Sequence, residues 1–225
     1  IKYYQKEAQI HMDKKYWESY YTKHGQDQGI SHHSSFSEFC IKNFFLDKGL
    51  NIVEIGSGNG RDAIYFAHHG HKVYAIDQST NAIDIEKRNI SNDVHQNLIP
   101  IADDFIKMNF SFDNPVGVFY SRFTLHAITK GDEDSLLPNI FNSLESGGLF
   151  CIEVRTTNDP LYGVGEDCGD NTFLTDHKRR FIDSNVFVRK MLSLGFVLLY
   201  FTEKNNLSIY KDDNPVLMRI VLRKK

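Results

Sequence analysis

The side chains best suited to chemistry gather in three short runs in the second half of the chain. "YSRFTLHAI" (120–128) carries Arg122 and His126 four residues apart, the spacing that puts two side chains on one face of a helical turn. "EVRTTNDPLYGVGE" (153–166) adds Arg155, Asp159, Tyr162 and Glu166, and "TDHKRRFID" (175–183) adds His177, Lys178, Arg179 and Arg180. This is a dense set of basic and phenolic groups for a chain whose formal net charge is −3. Guanidinium groups grip phosphate or carboxylate through two parallel hydrogen bonds, so the runs describe a pocket for a small anion. Arg122, His126, Arg155, Tyr162, His177, Arg179 and Arg180 are its candidate contacts, with His126 and Arg122 nearest the chemistry. His126 is either a base for a hydroxyl or a hydrogen-bond donor to an anion. The plain alternative is that "HKRR" opens a solvated helix and that Arg122 sits in a structural ion pair.

A second constellation is "IVEIGSGNGRD" (52–62), where Gly56, Gly58 and Gly60 follow an apolar run at every second position. A strand that turns into a helix through such a bend lets the backbone approach a ligand and offers it free N–H groups. The dinucleotide fingerprint G-x-G-x-x-G fails, because Arg61 stands where its third glycine belongs, and the phosphate loop's G-K-[ST] is absent. What stands is Glu54-x-Gly56-x-Gly58-x-Gly60, followed by Arg61-Asp62. Asp77 closes the next strand, "KVYAID", placed to accept from two ribose hydroxyls. "IADDF" then offers Asp103, Asp104 and Phe105, a carboxylate for an exocyclic amine beside an apolar cover for an adenine ring.

Such residues need a scaffold that brings strand ends together. Residues 1 to about 50 read as helical, with aromatics at three- and four-residue spacing in "YWESYYTKH" and "SFSEFCIKNFFLDKG". "NIVEIG", "HKVYAID", "LIPIAD", "PVGVFYSRF" and "LFCIEVR" read as strands. Helices over "NGRDAIYFAHHG", "TNAIDIEKRNISND" and "DEDSLLPNIFNSLES" alternate with them. Residues 156–180 are polar and glycine-containing and are expected to form a loop or lid. "DSNVFVRKMLSLG" is a helix, and "FVLLYFTEK" with "PVLMRIVLRK" forms an antiparallel pair. The alternation implies an α/β, Rossmann-like doubly wound sheet with helices on both faces, a C-terminal antiparallel hairpin and an N-terminal helical lid. The chain reads as a single domain, 1–225. Residues 1–50 form its helical segment, 51–155 the nucleotide-binding core, 156–182 the loop on the anion side, and 183–225 the last helix and hairpin.

Hydrophobic and charged fractions of 41% and 24% are those of a soluble globular protein. The charge balance gives no general argument for nucleic-acid or membrane partners. Cys40, Cys151 and Cys168 are too few and scattered for a disulfide framework or a zinc site, so reduced thiols in the cytoplasm are expected. The polar opening stretch has no signal-peptide apolar region, and "GFVLLYF" is too short to span a bilayer. The histidines of "AHHGH" suit a helix C-terminus, and His32-His33 has no partner at ligand spacing, so no metal is expected.

The E-x-G-x-G-x-G loop, Asp77, "ADDF" and the closing hairpin, in that order, resemble class I S-adenosylmethionine-dependent methyltransferases over nearly the whole chain. The resemblance implies a seven-stranded mixed sheet whose last strand is antiparallel. S-adenosyl-L-methionine is then the cofactor and S-adenosyl-L-homocysteine the product. It further implies that Glu54, Gly56, Ser57, Gly58 and Arg61 line the methionine end, Asp77 with Gln78 the ribose, and Asp103, Asp104 and Phe105 the adenine. Ser121 joins the cofactor wall, and Tyr16, Tyr21, Ser35 and Phe36 are its lid candidates. The runs around Arg122, Arg155 and "HKRR" also resemble a bacterial subgroup of capsule and phosphonate-type biosynthesis, the Campylobacter methyltransferases of capsular O-methyl phosphoramidate formation. That implies O-methylation of a small anionic metabolite bearing phosphate, phosphoramidate or carboxylate, by a monomer or homodimer. The alternatives are an N- or S-methyltransferase of the thiopurine or tellurite-resistance type, or a non-catalytic cofactor-binding protein. The chain lacks the D/N-P-P-Y and Pro-Cys signatures of nucleic-acid base methylation.

Overall fold

The computed structural model describes residues 14–24 and 32–225. Residues 14–24 form helix α1. In chain order there follow α2 (Ser35–Asn43), β1 (Asn51–Ile55), α3 (Arg61–His68), β2 (Lys72–Asp77), α4 (Thr80–Asn89), β3 (Leu98–Ala102) and β4 (Val116–Arg122). Then come a 3-10 turn (Leu125–Ala127), α5 (Lys130–Ser143), β5 (Leu144–Arg155), β6 (Glu166–Asp167), β7 (Thr172–Leu174), β8 (Lys178–Arg180), α6 (Ser184–Ser193), β9 (Phe196–Lys204) and β10 (Leu217–Lys224).

Seven strands form one sheet in the order β3-β2-β1-β4-β5-β10-β9. β1 to β5 pair in parallel, and β10 runs antiparallel to both β5 and β9, as the closing hairpin requires. Successive residues of the central strands face opposite layers and both sides are buried. Ile52, Val73, Val118 and Tyr120 pack towards Phe36 and Cys40 of α2 and Ala63 and Phe66 of α3. Val53, Ile76, Phe119 and Phe150 pack towards Leu136 and Ile140 of α5 and Phe187 and Met191 of α6. Each fully buried aliphatic or Phe side chain contributes about 1.5–3 kcal/mol. Phe36 therefore belongs to the core, stacked 5.2 Å from Tyr120, and not to a lid.

Local capping agrees with the sequence. Ser79 caps α4 through the Ala82 N–H, Asp183 caps α6 through the Val186 N–H, and Thr129 with Asp132 closes a capping box on α5. One expectation is corrected. Residues 156–180 are not wholly loop, because β6, β7 and β8 form a separate antiparallel sheet after β5. Tyr162, Phe173 and Phe181 pack edge to face or tilted within 6.1 Å and give this small sheet its own apolar contact. Among the described residues no helix is long and apolar enough to cross a membrane.

Candidate active site

β1 and β4 are neighbours whose following segments leave in opposite directions, the place where a doubly wound sheet opens a crevice at its carboxyl edge. A cleft of about 740 Å³ lies there. Gly56, Gly58 and Gly60 all hold positive φ (70°, 59° and 77°), conformations an L side chain rarely adopts. A Cβ on Gly56 would also collide with the Thr124 side chain, whose hydroxyl donates to the Ile55 carbonyl at 2.8 Å. The loop is tied to β2, since the Gly56 and Ser57 N–H groups donate to the Ile76 carbonyl at 2.8 and 3.0 Å.

Asp77 sits beneath this turn. Its carboxylate accepts from the Gly58 N–H at 2.9 Å and the Ser79 N–H at 2.8 Å. Burial pushes its carboxyl up to about 6 against those two bonds. Each oxygen keeps lone-pair capacity for a ligand hydroxyl. Glu54 lines the same cleft, almost fully buried, with its Oε2 unpartnered among the described residues. Burial, reinforced by Asp62 and Glu86, pushes its carboxyl well above the ordinary value. An unpartnered buried carboxyl beside a glycine cradle is the feature an ammonium-bearing ligand would satisfy.

The donor side is held by buried bonds. Asp62 accepts from the Ser34 N–H (2.6 Å), the Ser34 hydroxyl (2.7 Å), the Ser37 hydroxyl (2.9 Å) and the Tyr120 hydroxyl (2.8 Å), which fastens α2 to α3. Arg61 and Gln78 line the cleft, as do Ser57 and Phe105. Asp103 and Asp104 stand outside it. The Asp103 carboxylate accepts from the Asp104 N–H and that of Asp104 from the Ile106 N–H, so both shape the turn after β3. Gly58 is covered by Tyr21, which itself lines the cleft, and Ser121 is buried in β4 away from it. Ser35 reaches the cleft but its hydroxyl is committed, donating to the Leu207 carbonyl and accepting from Arg219, both at 2.7 Å.

The basic residues divide sharply. Arg122 is buried, its Nε on Glu153 at 2.8 Å, its Nη2 on the Ser208 hydroxyl at 2.7 Å and its guanidinium 4.2 Å from the Phe123 ring centre. Glu153 also pairs with Arg219, so Arg122 sits in a buried ion-pair group while still lining the cleft. Arg155 lines the cleft between Asp159 (3.0 Å) and Asp213. Arg180 turns away from the main cleft to pair with Glu133 and to donate to the carbonyls of Leu125 and Ile128. Tyr162 is exposed and bonds Asn171, on the outer side of the small sheet. Arg179 lines the cleft with no carboxylate of the described residues in an ion pair with it; its Nη2 lies 3.2 Å from His177 Nε2. Burial and Arg155 together lower its pKa.

His126 is held on the 3-10 turn, buried at the cleft wall, with Nδ1 unpartnered among the described residues. Burial and then Arg155, Arg179, His177 and Arg180 hold it well below the ordinary histidine value, so the ring is neutral. Phe123, between Arg122 and His126, adopts φ 58°. For a bulky residue that conformation costs about 1–2 kcal/mol, and such strain concentrates at functional sites. Several cleft residues carry no signal in the sequence: Trp17, Phe123, Thr124, Asp176, and the β9–β10 connection from Asn206 to Tyr210 with Asp213 and Pro215. That connection reads as a polar linker and lacks any motif. No cluster of histidine, cysteine and carboxylate residues suited to a metal occurs among the described residues.

Residues 52–148 match the family model described as a methyltransferase domain. With the sheet order and the glycine–Asp77 cradle, the chain carries a methyltransferase domain built on the class I fold of S-adenosylmethionine-dependent methyltransferases. Over 152 residues the chain is 26% identical to a protein-L-isoaspartate O-methyltransferase of Methanococcoides burtonii, covering 65% of this chain and 69% of that protein. A SAM-dependent methyltransferase structure from Methanosarcina mazei superposes with a TM-score of 0.71 at 16% identity, over 82% of this chain and 96% of its own. The glycopeptide N-methyltransferase MtfA, solved with S-adenosyl-L-methionine, gives 0.64 at 17% identity over 87% and 96%. At these identities the two structures show the fold. Within it, Glu54 would take the cofactor's ammonium and Asp77 its ribose hydroxyls.

Proposed function

We propose that the protein methylates an oxygen of a small anionic metabolite bearing phosphate, phosphoramidate or carboxylate, in the building of a capsule or surface polysaccharide. The observation that carries the anionic acceptor is Arg179, a guanidinium lining the cleft with no carboxylate of the described residues in an ion pair with it. The bound cofactor supplies an electrophilic methyl on a sulfonium. An acceptor oxygen donates a lone pair to that methyl carbon as the carbon–sulfur bond breaks and its electron pair passes to sulfur. Arg179 would bind the acceptor's anionic group, with Arg155 behind it and His126 donating a neutral hydrogen bond. A histidine crowded by three guanidiniums and a second imidazole is a poor proton acceptor. That favours an oxygen already carrying its charge over a hydroxyl needing a base. The relative named as an O-methyltransferase supports oxygen as the acceptor atom. The polysaccharide setting rests on the resemblance of the three basic runs alone.

The test is methyl transfer from labelled cofactor to small phosphates, phosphoramidates and carboxylates by wild type and Arg179→Ala. Loss of a charge-assisted contact raises KM by about ten- to a hundredfold, with cofactor affinity unchanged. Equal KM in the variant, or faster methylation of neutral amines or thiols than of the anions, would overturn the proposal.

A further inference from the structure

The carboxylate of Asp77 is held by two backbone N–H groups, those of Gly58 and Ser79. Helix α1 touches both. Tyr21 lies directly over Gly58, where it fills the space a Cβ would need. Glu18 accepts from the Ser79 hydroxyl at 3.0 Å, the Thr80 N–H at 2.9 Å and the Asn81 N–H at 3.2 Å. A carboxylate from a different element thus caps the first turn of α4, where charge and dipole agree. Asn81 returns the contact, its amide donating to the Glu18 carbonyl (3.2 Å) and the Thr22 hydroxyl (2.9 Å). Ser79 is the pivot: its N–H serves Asp77, its hydroxyl hydrogen Glu18, and its oxygen accepts from the Ala82 N–H at 3.2 Å.

The opposite face of α1 reaches the acceptor half. The Tyr16 hydroxyl donates to Asp176 at 3.3 Å, and its ring stacks on His177 with centroids 4.5 Å apart and planes inclined by 23°. His177 is the residue that contacts Arg179.

We propose that α1 is a strap joining the donor and acceptor halves, and that Glu18 is its latch, a positioning residue that fixes the Ser79–Asp77 pair for the cofactor ribose. Glu18 does not touch the cofactor site itself; it acts through Ser79. With the latch made, Tyr21 is seated over the glycine loop and Tyr16 beside His177, so a filled donor site and an ordered acceptor wall go together. The proposal uses the acceptor wall only as the strap's second anchor, and its test reads cofactor binding and Trp17, so its failure leaves the anionic acceptor standing.

Trp17 is the chain's single tryptophan and lies on α1, its ring centre 5.8 Å from that of His177. Its fluorescence therefore reports the strap directly. In Glu18→Ala, binding of S-adenosyl-L-homocysteine weakens about tenfold, as loss of a helix cap implies. Trp17 emission shifts to the red and becomes more open to acrylamide, while the melting temperature of the core barely changes. Glu18→Gln, which keeps an accepting oxygen, restores part of both effects. Asn81→Ala, which loosens the same junction from α4, reproduces the Trp17 shift and serves if the Glu18 variant fails to fold. Wild-type affinity and emission in Glu18→Ala would overturn the proposal. So would weakened binding with unmoved Trp17 emission, since Glu18 would then act without the strap.

Discussion

Glu54→Gln separates a cofactor contact from a structural one. Glu54 is nearly fully buried, its Oε2 has no partner among the described residues, and burial with Asp62 and Glu86 nearby holds its carboxyl well above the ordinary value. That direction favours the neutral acid in the free protein, and an isosteric amide replaces it at small cost to the fold, within about 1 kcal/mol. A bound ammonium reverses the balance, because the opposite charge favours the carboxylate. The amide cannot answer with a charge, and the missing charge-assisted hydrogen bond is worth about 2 kcal/mol, or about thirtyfold in Kd. The wild type must also release a proton on binding. Calorimetry of S-adenosyl-L-homocysteine in two buffers of different ionisation enthalpy measures that release. Working near pH 7.5 keeps Asp77, pushed up to about 6, out of the count. The expected result is a thirtyfold loss of affinity, a smaller proton release and a near-native melting temperature in the variant. Unchanged affinity with a large drop in melting temperature would refute the argument and make Glu54 a packing residue.

The donor half was legible in the sequence because its signals are local. Three alternate glycines can be read without knowing what surrounds them, and the structure gives all three positive φ. Asp77 follows from the end of an apolar strand. The acceptor half was legible only as composition. Arg179 and Arg180 are neighbours in "HKRR", which the sequence treats alike. In β8 the alternation of side chains sends Arg179 to the cleft and Arg180 to Glu133, 47 residues away in sequence. The strand itself was hidden, since β6 to β8 are short and polar and show no hydrophobic period. The commitments of Arg122 and Ser35 were hidden for the same reason: their partners Glu153 and Arg219 lie 31 and 184 residues distant. The latch was equally out of reach, because nothing in "YWESYY" marks Glu18 as the cap of a helix 62 residues further on. Long-range polar pairing decides which charged groups are free to act, and it leaves no trace in spacing.

Two more predictions test that division. Arg180→Ala leaves Glu133 only its Lys190 ion pair among the described residues and takes the donor from two carbonyls, so it should destabilise the protein by about 1–3 kcal/mol, read as a lowered melting temperature, whereas Arg179→Ala leaves the melting temperature within a degree or two. The other concerns Glu86, buried under Gly60, with Oε1 unpartnered among the described residues and Oε2 accepting from the Ser57 hydroxyl at 3.3 Å. Burial, aided by Asp77, pushes its carboxyl from 4.5 up to about 8. Below 4.5 the acid is protonated folded or unfolded, so its full contribution is present. Between 4.5 and about 8 the unfolded chain ionises while the folded one resists, and stability falls as pH rises. Glu54 and Asp77 tilt the free protein the same way, so Glu86→Gln should reduce the decline without abolishing it. Melting temperatures of the free protein near pH 6 and pH 8.5 measure the slope. The same drop in wild type and Glu86→Gln would mean that Glu86 is ionised across the whole range, and that the glycine loop rests on a charge.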